Sequence, residues 1–395
     1  MNRRHGMVGA AALFALPWTF AQSVPAPMPK AARRVLEVGP GKVLSTPSAA
    51  AKVARDGDEI RIASAEYAAD VAVWPQSGLR FVGVGNSKPL LVAQGANAEG
   101  KAIWVIHGDN IEIENLVFEG CRVPDRNGAG IRAEGKGLTV RHCIFRGNET
   151  AILTSNRGEG ELLLEHCELD RNFTPERGFM HNIYVGRIAR FEMRFCYVHG
   201  AVVGHNVKTR AALSVIEYNL ITDGEDGRPS YCVEFPDGGE VRMLGNIVHK
   251  SQRAENFTAI SYGAEHMFYA RNAFVFVHNT VISEVSEGRF LFVRPESKAV
   301  APVRLLNNVL AGQGRLQLPA ALESHNNVHV DLGGFSMRDV ANFQPNASTS
   351  ELGSETLTRV LALGEVPMFQ YMHPLQARAL VTRDLRWAGA VQQRK

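Results

Sequence analysis

The sequence lacks the motifs that mark several common protein classes. Its 395 residues contain only five cysteines, and no two of these form a C-x-x-C pair, which excludes the usual zinc and thioredoxin-like motifs. No Walker loop and no G-x-S-x-G esterase elbow occur. Beyond the N-terminus, no apolar run is long enough to span a bilayer, so we expect no membrane insertion.

The sequence also has little net charge. The formal charge is +3, and it falls to +1 without residues 1–21, which hold two arginines and no acid. This balance gives no electrostatic case for nucleic acid as a partner, although a local basic patch would still suit an acidic glycan. With 45% hydrophobic and 21% charged residues, the composition is that of a folded globular protein.

The N-terminus has the pattern of a secretory signal peptide. Arg3 and Arg4 precede an apolar stretch over residues 6–16, and Thr19-Phe20-Ala21 offers a cleavage site before Gln22. We therefore assign residues 1–21 to a signal peptide and 22–37 to a linker, and expect export to the periplasm or beyond.

Short β-like segments recur along the rest of the chain. Examples are IEIENLVF (111–118), LTVRHCIF (138–145) and FVFVHNTVI (274–282), which are rich in β-branched residues and alternate apolar with polar side chains. One column aligns Asn115, Cys143, Cys167, Cys196, Asn219, Asn246, Asn279, Asn308 and Asn327. A strand every two dozen residues or so predicts a solenoid in which these side chains stack along the axis.

The same column predicts that its cysteines form a buried stack of thiols. Neighbouring ladder positions have parallel Cα–Cβ directions, which suit a disulfide poorly. Upstream, Thr46 or Ser48 leads an alanine-rich run that we expect to form a short helix capping the open end of the solenoid.

The capping pattern and the repeated N-x-apolar coils resemble the right-handed parallel β-helix proteins of the pectate-lyase superfold. The resemblance covers residues 38–332 and implies an all-β, single-stranded β-helix domain, with residues 333–395 forming a tail that wraps the helix. It also implies action on polysaccharides, by lyase, hydrolase, epimerase or esterase chemistry, with no organic cofactor. We expect a monomer.

A second column predicts which side chains face outward. Six segments form this column, among them HNIYVGR (181–187), HNVKTR (205–210) and YCVEFPD (231–237). Each contributes one apolar residue that we expect to point inward: Ile131, Ile152, Ile183, Val207, Val233 and Ile260. Because side chains alternate along a strand, the next residues point outward: Arg132, Leu153, Tyr184, Lys208, Glu234 and Ser261. We expect Asn182, Asn206 and Arg210 to face the same way, with Arg187 beside them and His181 and His205 at the strand entrance.

This outward surface suits β-elimination on a uronic-acid polymer. Lys208 or Tyr184 would act as the base, Arg210 and Arg187 would hold the carboxylate, and His205 or His181 would assist proton transfer. Further candidate substrate-binding residues are Asn182, Asn206, Glu234, Tyr231, Tyr262 and Glu265; Phe235 and Trp104 could also stack on sugars, and the aromatic residues are as compatible with the core. The competing interpretation is a Lys208–Glu234 ion pair on a solvated sheet.

Two other functions remain open on the sequence. Glu234 and Asp237 could be the paired carboxylates of a glycoside hydrolase, or the chain could bind glycan or serve the envelope without catalysis. Asp223, Glu225 and Asp226 lie in an acidic turn that could hold Ca²⁺, although it lacks EF-hand spacing. We predict no required metal.

Overall fold

The structure is a computed structural model. It describes residues 33–173, 180–294, 300–320, 322–333, 340–341, 343 and 354–392. The predicted signal peptide lies outside the described residues, as do most of the predicted linker and parts of the tail. The first strand starts at Val35, inside the stretch assigned to the linker.

The described chain coils through three long sheets in which every neighbouring pair of strands is parallel. From the strand Glu59–Ala63 onward, strands of one sheet are separated along the chain by strands of the other two, so each circuit adds one strand per sheet. The predicted all-β parallel β-helix is confirmed. Sheet 1 contains Val35–Val38, Glu59–Ala63, Arg80–Val84, Ile111–Glu114, Gly137–Arg141, Glu161–Glu165, Arg190–Arg194, Leu213–Glu217, Glu240–Leu244, Asn272–Val277, Val300–Leu306 and Glu323–His325.

The other two sheets complete each coil. Sheet 2 contains Glu66–Ala68, Leu90–Val92, Val117–Glu119, Ile144–Arg146, Glu168–Asp170, Tyr197–His199, Leu220–Thr222, Ile247–Lys250, Thr280–Ser283, Val309–Gly312 and Val328–Val330. Sheet 3 contains Ala72–Trp74, Ala102–Ile106, Ala129–Ala133, Thr150–Thr154, Ile183–Val185, Val207–Thr209, Val233–Phe235, Thr258–Tyr262, Arg289–Val293 and Arg315–Gln317.

The core is a continuous apolar column inside the coils. Aromatic rings stack along its first part, with Trp74–Trp104, Trp104–Phe118 and Phe118–Phe145 centroids 5.1–5.3 Å apart. All four side chains are fully buried. Close packing of this kind favours apolar residues at the inward positions of the strands.

An asparagine ladder turns the corner between sheets 1 and 2, as predicted. The Asn219 amide donates to Asn246 Oδ1 at 3.0 Å, and Asn246 donates in turn to Asn279 at 2.9 Å. The alignment is wrong by one residue at Asn115, which has a positive φ like His142 of the next coil. Leu116 occupies the ladder position instead, and its backbone N–H points to Cys143 Sγ at 3.4 Å.

All five cysteines are free and buried, which confirms the absence of disulfides. In the corner column, the thiols of Cys143, Cys167 and Cys196 donate to backbone carbonyls two residues earlier, at 3.2–3.3 Å. Burial raises the pKa of the Cys143 and Cys196 thiols well above the ordinary value. These cysteines therefore serve as small core residues rather than nucleophiles.

Two parts of the described sequence, one near its start and one near its end, lie outside the coils and pack against them. The five-residue helix Pro47–Ala51 follows Thr46, whose hydroxyl accepts from Ala49 N, and contributes Ala50 to the core. The tail comprises the helix Ser354–Ala362, the hairpin Phe369–Met372 with Gln376–Ala379, and the 3-10 helix Thr382–Asp384. Its hairpin contacts the coils through Met368 N to Tyr218 Oη at 3.1 Å. No helix in the described ranges is long and apolar enough to cross a membrane.

Candidate active site

The strand register of sheet 3 builds one outward line of polar side chains. Tyr184 pairs with Lys208, Lys208 with Glu234, and Glu234 with Ser261, as the sequence predicts. The six predicted inward anchors are all fully buried: Ile131, Ile152, Ile183, Val207, Val233 and Ile260. Successive coils lie about 4.8 Å apart, so side chains in this line touch their neighbours.

Lys208 lies between two carboxylates. Its Nζ is 2.9 Å from Glu234 Oε2 and 3.0 Å from Glu265 Oε1. Glu234 Oε2 is also 2.9 Å from His205 Nε2. The contacts of this oxygen with Lys208 and His205 are short, but neither has the geometry of a hydrogen bond. Lys208 is 8% exposed and Glu234 3% exposed, so the ion pair exists but the idea of a solvated sheet is wrong.

Arg210 connects three partners. Its Nε donates to Tyr184 Oη at 3.0 Å, Nη1 donates to Asp237 Oδ1, and Nη2 donates to Glu265 Oε2. The Nε of Arg187 donates to the other oxygen of Asp237 at 2.7 Å. Asp237 is completely buried and therefore holds the two arginines side by side from beneath. We call this surface the shelf; it consists of Tyr184, Arg187, Lys208, Arg210, Glu234, Asp237 and Glu265.

Two histidines stack at the strand entrance beside the shelf. The rings of His181 and His205 lie 4.4 Å apart between centroids, and His181 meets Tyr184 edge-on at 5.4 Å. His181 Nδ1 accepts from His205 N at 2.9 Å, and His205 Nδ1 accepts from Tyr231 N at 3.2 Å. Backbone donors at Nδ1 place the proton of each neutral ring on Nε2.

Burial sets the charge state of these histidines. It lowers the pKa of His181 well below the ordinary value, and the nearby His205 and Lys208 charges act in the same direction. It also lowers the pKa of His205, although Glu234 opposes this effect. Both shifts favour the neutral form of the imidazole rings.

Neighbouring groups lower the pKa values of two shelf carboxyls, Glu234 and Glu265. Burial would raise the pKa of Glu234, but His205 and Lys208 outweigh it and the pKa is lowered. Burial would also raise the pKa of Glu265, but Arg210 and Lys208 outweigh burial and lower this pKa to about 2. The pKa of Arg210 is raised, because its bonds to Glu265 and Tyr184 and the Asp237 charge outweigh burial.

The turn 263–271 forms a wall beside the shelf, and the sequence interpretation missed two of its residues, Phe268 and Tyr269. In turn 263–271, the backbone N–H groups of Glu265 and His266 donate to Pro236 O at 3.2 and 2.9 Å. Phe268 is 57% exposed, and its ring centroid lies 4.2 Å from Arg187 Cζ. Tyr269 donates its hydroxyl to Arg210 O. The adjacent aromatic residues Phe268 and Tyr269, in the turn that follows the strand Thr258–Tyr262, were the available signal.

The expectation that Asn182 and Asn206 face outward is wrong. Both are fully buried and form a second inward ladder with Asn172. Asn172 donates to Asn182 Oδ1 at 2.7 Å, Asn182 to Asn206 at 3.4 Å, and Asn206 to Asp223 Oδ1 at 3.2 Å. The chain bends where it enters sheet 3, so residues one before the anchor still point into the core at this corner.

Tyr262 also lies in the core and cannot stack on a sugar. It is fully buried, and its hydroxyl donates to Gly239 O at 2.8 Å. Phe235 and Trp104 are likewise fully buried, which confirms the core alternative for both. Tyr231 is half-buried with its ring 5.0 Å from His205, so it lies at the edge of the site.

The acidic turn is braced from within. Asp223 is fully buried, accepts from Ser251 N at 2.9 Å, and lies 3.8 Å from the ammonium of the fully buried Lys250. Lys250 also donates to Pro229 O at 3.1 Å. In the described part of the chain, no three His, Cys, Asp or Glu side chains are grouped to hold a metal ion. The Ca²⁺ hypothesis stays a prediction.

Comparison with known proteins defines the class. The family described as the right-handed β-helix region matches residues 93–294, and the chain belongs to this family. A search of curated protein sequences found no match.

Solved structures share the architecture at low sequence identity. Pectate lyase Pel9A superposes with a TM-score of 0.55 at 13% identity, covering 88% of this chain and 90% of its own. An alginate lyase from Paenibacillus sp. str. FPU-7 gives a TM-score of 0.40 at 13% identity, over 72% and 95% of the two chains. Pectin methylesterase PemA from Erwinia chrysanthemi gives 0.40 at 11% identity, over 80% and 99%. At these identities the likeness describes the fold.

Proposed function

We propose that the protein is an exported polysaccharide lyase that cleaves a uronic-acid-containing polysaccharide by β-elimination. The observation that carries the proposal is the hydrogen bond from Arg210 Nε to Tyr184 Oη, 3.0 Å long, within a cluster of three cationic side chains. This bond joins a candidate base to a group that stabilises negative charge, on one exposed face of the solenoid.

The reaction requires a base, an anion clamp and a proton donor. The base removes the proton from C5 of the uronate, α to its carboxylate, and the charge spreads into an enediolate. The electron pair then forms the C4–C5 double bond as the C4–O4 bond breaks, and the leaving oxygen takes a proton. Arg187 and Arg210 would hold the carboxylate while its charge rises.

Tyr184 suits the role of base better than Lys208. The Arg210 guanidinium donates to the phenol oxygen and is positioned to stabilise it as its proton departs. The Lys208 ammonium already forms ion pairs with Glu234 and Glu265, so it is better placed as part of the clamp. The neutral His181, edge-on to Tyr184, would position the phenol and support return of the proton to the leaving group.

The hydrolase alternative has less support. An inverting or retaining hydrolase needs one carboxyl that stays protonated near neutral pH. The pKa values of Glu234 and Glu265 are lowered, and Asp237 is buried beneath two arginines. A non-catalytic glycan-binding protein would need the three cationic side chains of the shelf but not the Tyr184–Arg210 bond.

The fold supports the class of substrate in a general way. Pectate lyase Pel9A has the same architecture, and its name describes an enzyme acting on an acidic polysaccharide. We further propose that the protein acts as a monomer with no required organic cofactor. Export rests on the N-terminal pattern of residues 1–21.

The decisive experiment follows the ultraviolet absorbance of the conjugated unsaturated uronate on a panel of acidic glycans. Wild type is compared with Tyr184→Phe and with the matched variant Tyr197→Phe in sheet 2, which is not part of the shelf. An absorbance rise that only Tyr184→Phe abolishes supports elimination. Reducing ends released without absorbance would indicate hydrolysis, and binding without either product would indicate a binding protein.

A further inference from the structure

Glu265 differs from the other carboxylates of the shelf in one respect. Its side chain is 39% exposed, whereas those of Glu234 and Asp237 are 4% and 0% exposed. Glu265 nevertheless bridges the two central cations, with one oxygen 3.0 Å from Lys208 Nζ and the other bonded to Arg210 Nη2. Glu265 is thus the shelf carboxylate that can most easily turn out into water.

The charges of the shelf would stay balanced if a carboxylate from outside took the place of the Glu265 carboxylate. Among the described shelf residues, three cations (Arg187, Lys208 and Arg210) face three carboxylates (Glu234, Asp237 and Glu265), so the formal sum is zero. If Glu265 swings out, the sum rises by one positive charge. A carboxylate is the group of the right charge and shape to restore it, because it matches the fork of a guanidinium.

The turn that carries Glu265 is fixed by its backbone rather than by this side chain. Glu265 N and His266 N donate to Pro236 O, and Phe268 N donates to Asp237 O at 2.9 Å. The side chain can therefore move while the wall keeps its place. On the same turn, the exposed Phe268 ring lies against the Arg187 guanidinium and provides an apolar face on the shelf.

We propose that Glu265 is a built-in stand-in for the substrate carboxylate, which a uronate displaces from Lys208 and Arg210 when it binds. This inference rests on the proposed function for the identity of the ligand. It makes Glu265 a specificity-determining residue: a neutral sugar that displaced it would leave Lys208 and Arg210 each with one carboxylate contact fewer, whereas a uronate replaces the lost contacts.

The test measures binding rather than turnover. Calorimetry with galacturonate and mannuronate trimers is carried out in the Tyr184→Phe background, with and without Glu265→Gln. Removing the internal competitor should tighten uronate binding about 3- to 10-fold, the range expected for loss of two partly exposed ion pairs. Carboxyl-reduced neutral trimers should gain nothing. Glu255→Gln, at an exposed turn position, is the matched control.

The outcomes separate this inference from the proposed function. If uronate affinity is unchanged or weaker in Glu265→Gln, Glu265 belongs to the binding architecture and the inference is overturned, whatever the lyase assay shows. If affinity rises while wild type yields no unsaturated product, the displaceable carboxylate stands and the lyase proposal falls. Absence of uronate binding to both variants overturns the inference.

Discussion

Tyr184 and Arg210 come from successive coils, yet the guanidinium Nε lies 3.0 Å from the phenol oxygen. One circuit of the solenoid leads from Tyr184 to its register partner Lys208, and Arg210 lies two residues further on. The same guanidinium reaches Asp237 and Glu265 with its two terminal nitrogens. One planar fork thus sets the distances between a candidate base, a buried anchor and an exposed carboxylate.

Arg210→Lys should lower kcat/KM by about 10²- to 10³-fold on the substrate that the lyase assay identifies. Lysine keeps the charge but cannot bond Tyr184, Asp237 and Glu265 at once. Arg132→Lys, in the same outward column but paired with Glu134, is the control and should keep its activity. Wild-type kinetics in Arg210→Lys would contradict the role of the fork.

Asp237→Asn should destabilise the fold by about 3–5 kcal/mol, because it leaves two arginines without their buried partner. Asp226→Asn, whose side chain is 85% exposed, should change the free energy of unfolding by less than about 0.5 kcal/mol. Urea denaturation of both variants measures the difference. A stability of Asp237→Asn equal to that of the control would show that Asp237 is not an anchor.

Asn182→Ala should cost about 2–4 kcal/mol of stability, because its amide bonds Asn172 and two backbone carbonyls inside the core. The exposed Asn86 offers the control substitution to alanine. If Asn182 bound substrate instead, the variant would keep its stability and lose substrate affinity. Denaturation and calorimetry on the same samples distinguish the two.

His278 predicts a pH dependence of stability. Burial lowers its pKa to about 4 in the fold, below the value of about 6.5 expected in the unfolded chain. Between these values the unfolded state binds more protons, so this contribution is present above pH 6.5 and is lost as the pH falls towards 4. The loss reaches about 3 kcal/mol at 1.4 kcal/mol per pKa unit.

Urea denaturation at pH 7, 5.5 and 4 checks this prediction. The stability difference between wild type and His278→Gln should shift in favour of the variant as the pH falls. His107→Gln, which changes an exposed histidine, should follow wild type. Parallel curves for wild type and His278→Gln would rule out the contribution of His278.

Thiol titration tests the buried cysteine column. The native protein should react slowly with an aromatic disulfide reagent, because all five thiols are fully buried. Denaturation without reductant should release all five at once. A count of three or one would mean that disulfides had formed.

The solenoid and its register could be predicted from the sequence for a physical reason. In a parallel coil, each strand repeats the alternation of its neighbour, so local patterns such as HNIYV and HNVKT align without knowledge of distant contacts. That logic placed Tyr184, Lys208 and Glu234 in one line, as the register confirms. The cysteine and asparagine column followed from the same repetition.

Corners and turns were decided only by the tertiary structure. Alternation fails where the backbone bends, which is why Asn182 and Asn206 turned inward. Asn115 is different: it is equivalent to His142, with which it shares a positive φ, and so it lies one residue before the ladder. Turn 263–271 brings Glu265 and Phe268 over the shelf through bonds to Pro236 and Asp237, which no local pattern encodes. The sequence by itself determined the fold and the cationic face; the tertiary structure decided which carboxylates neutralise that face, because those contacts depend on how neighbouring turns pack.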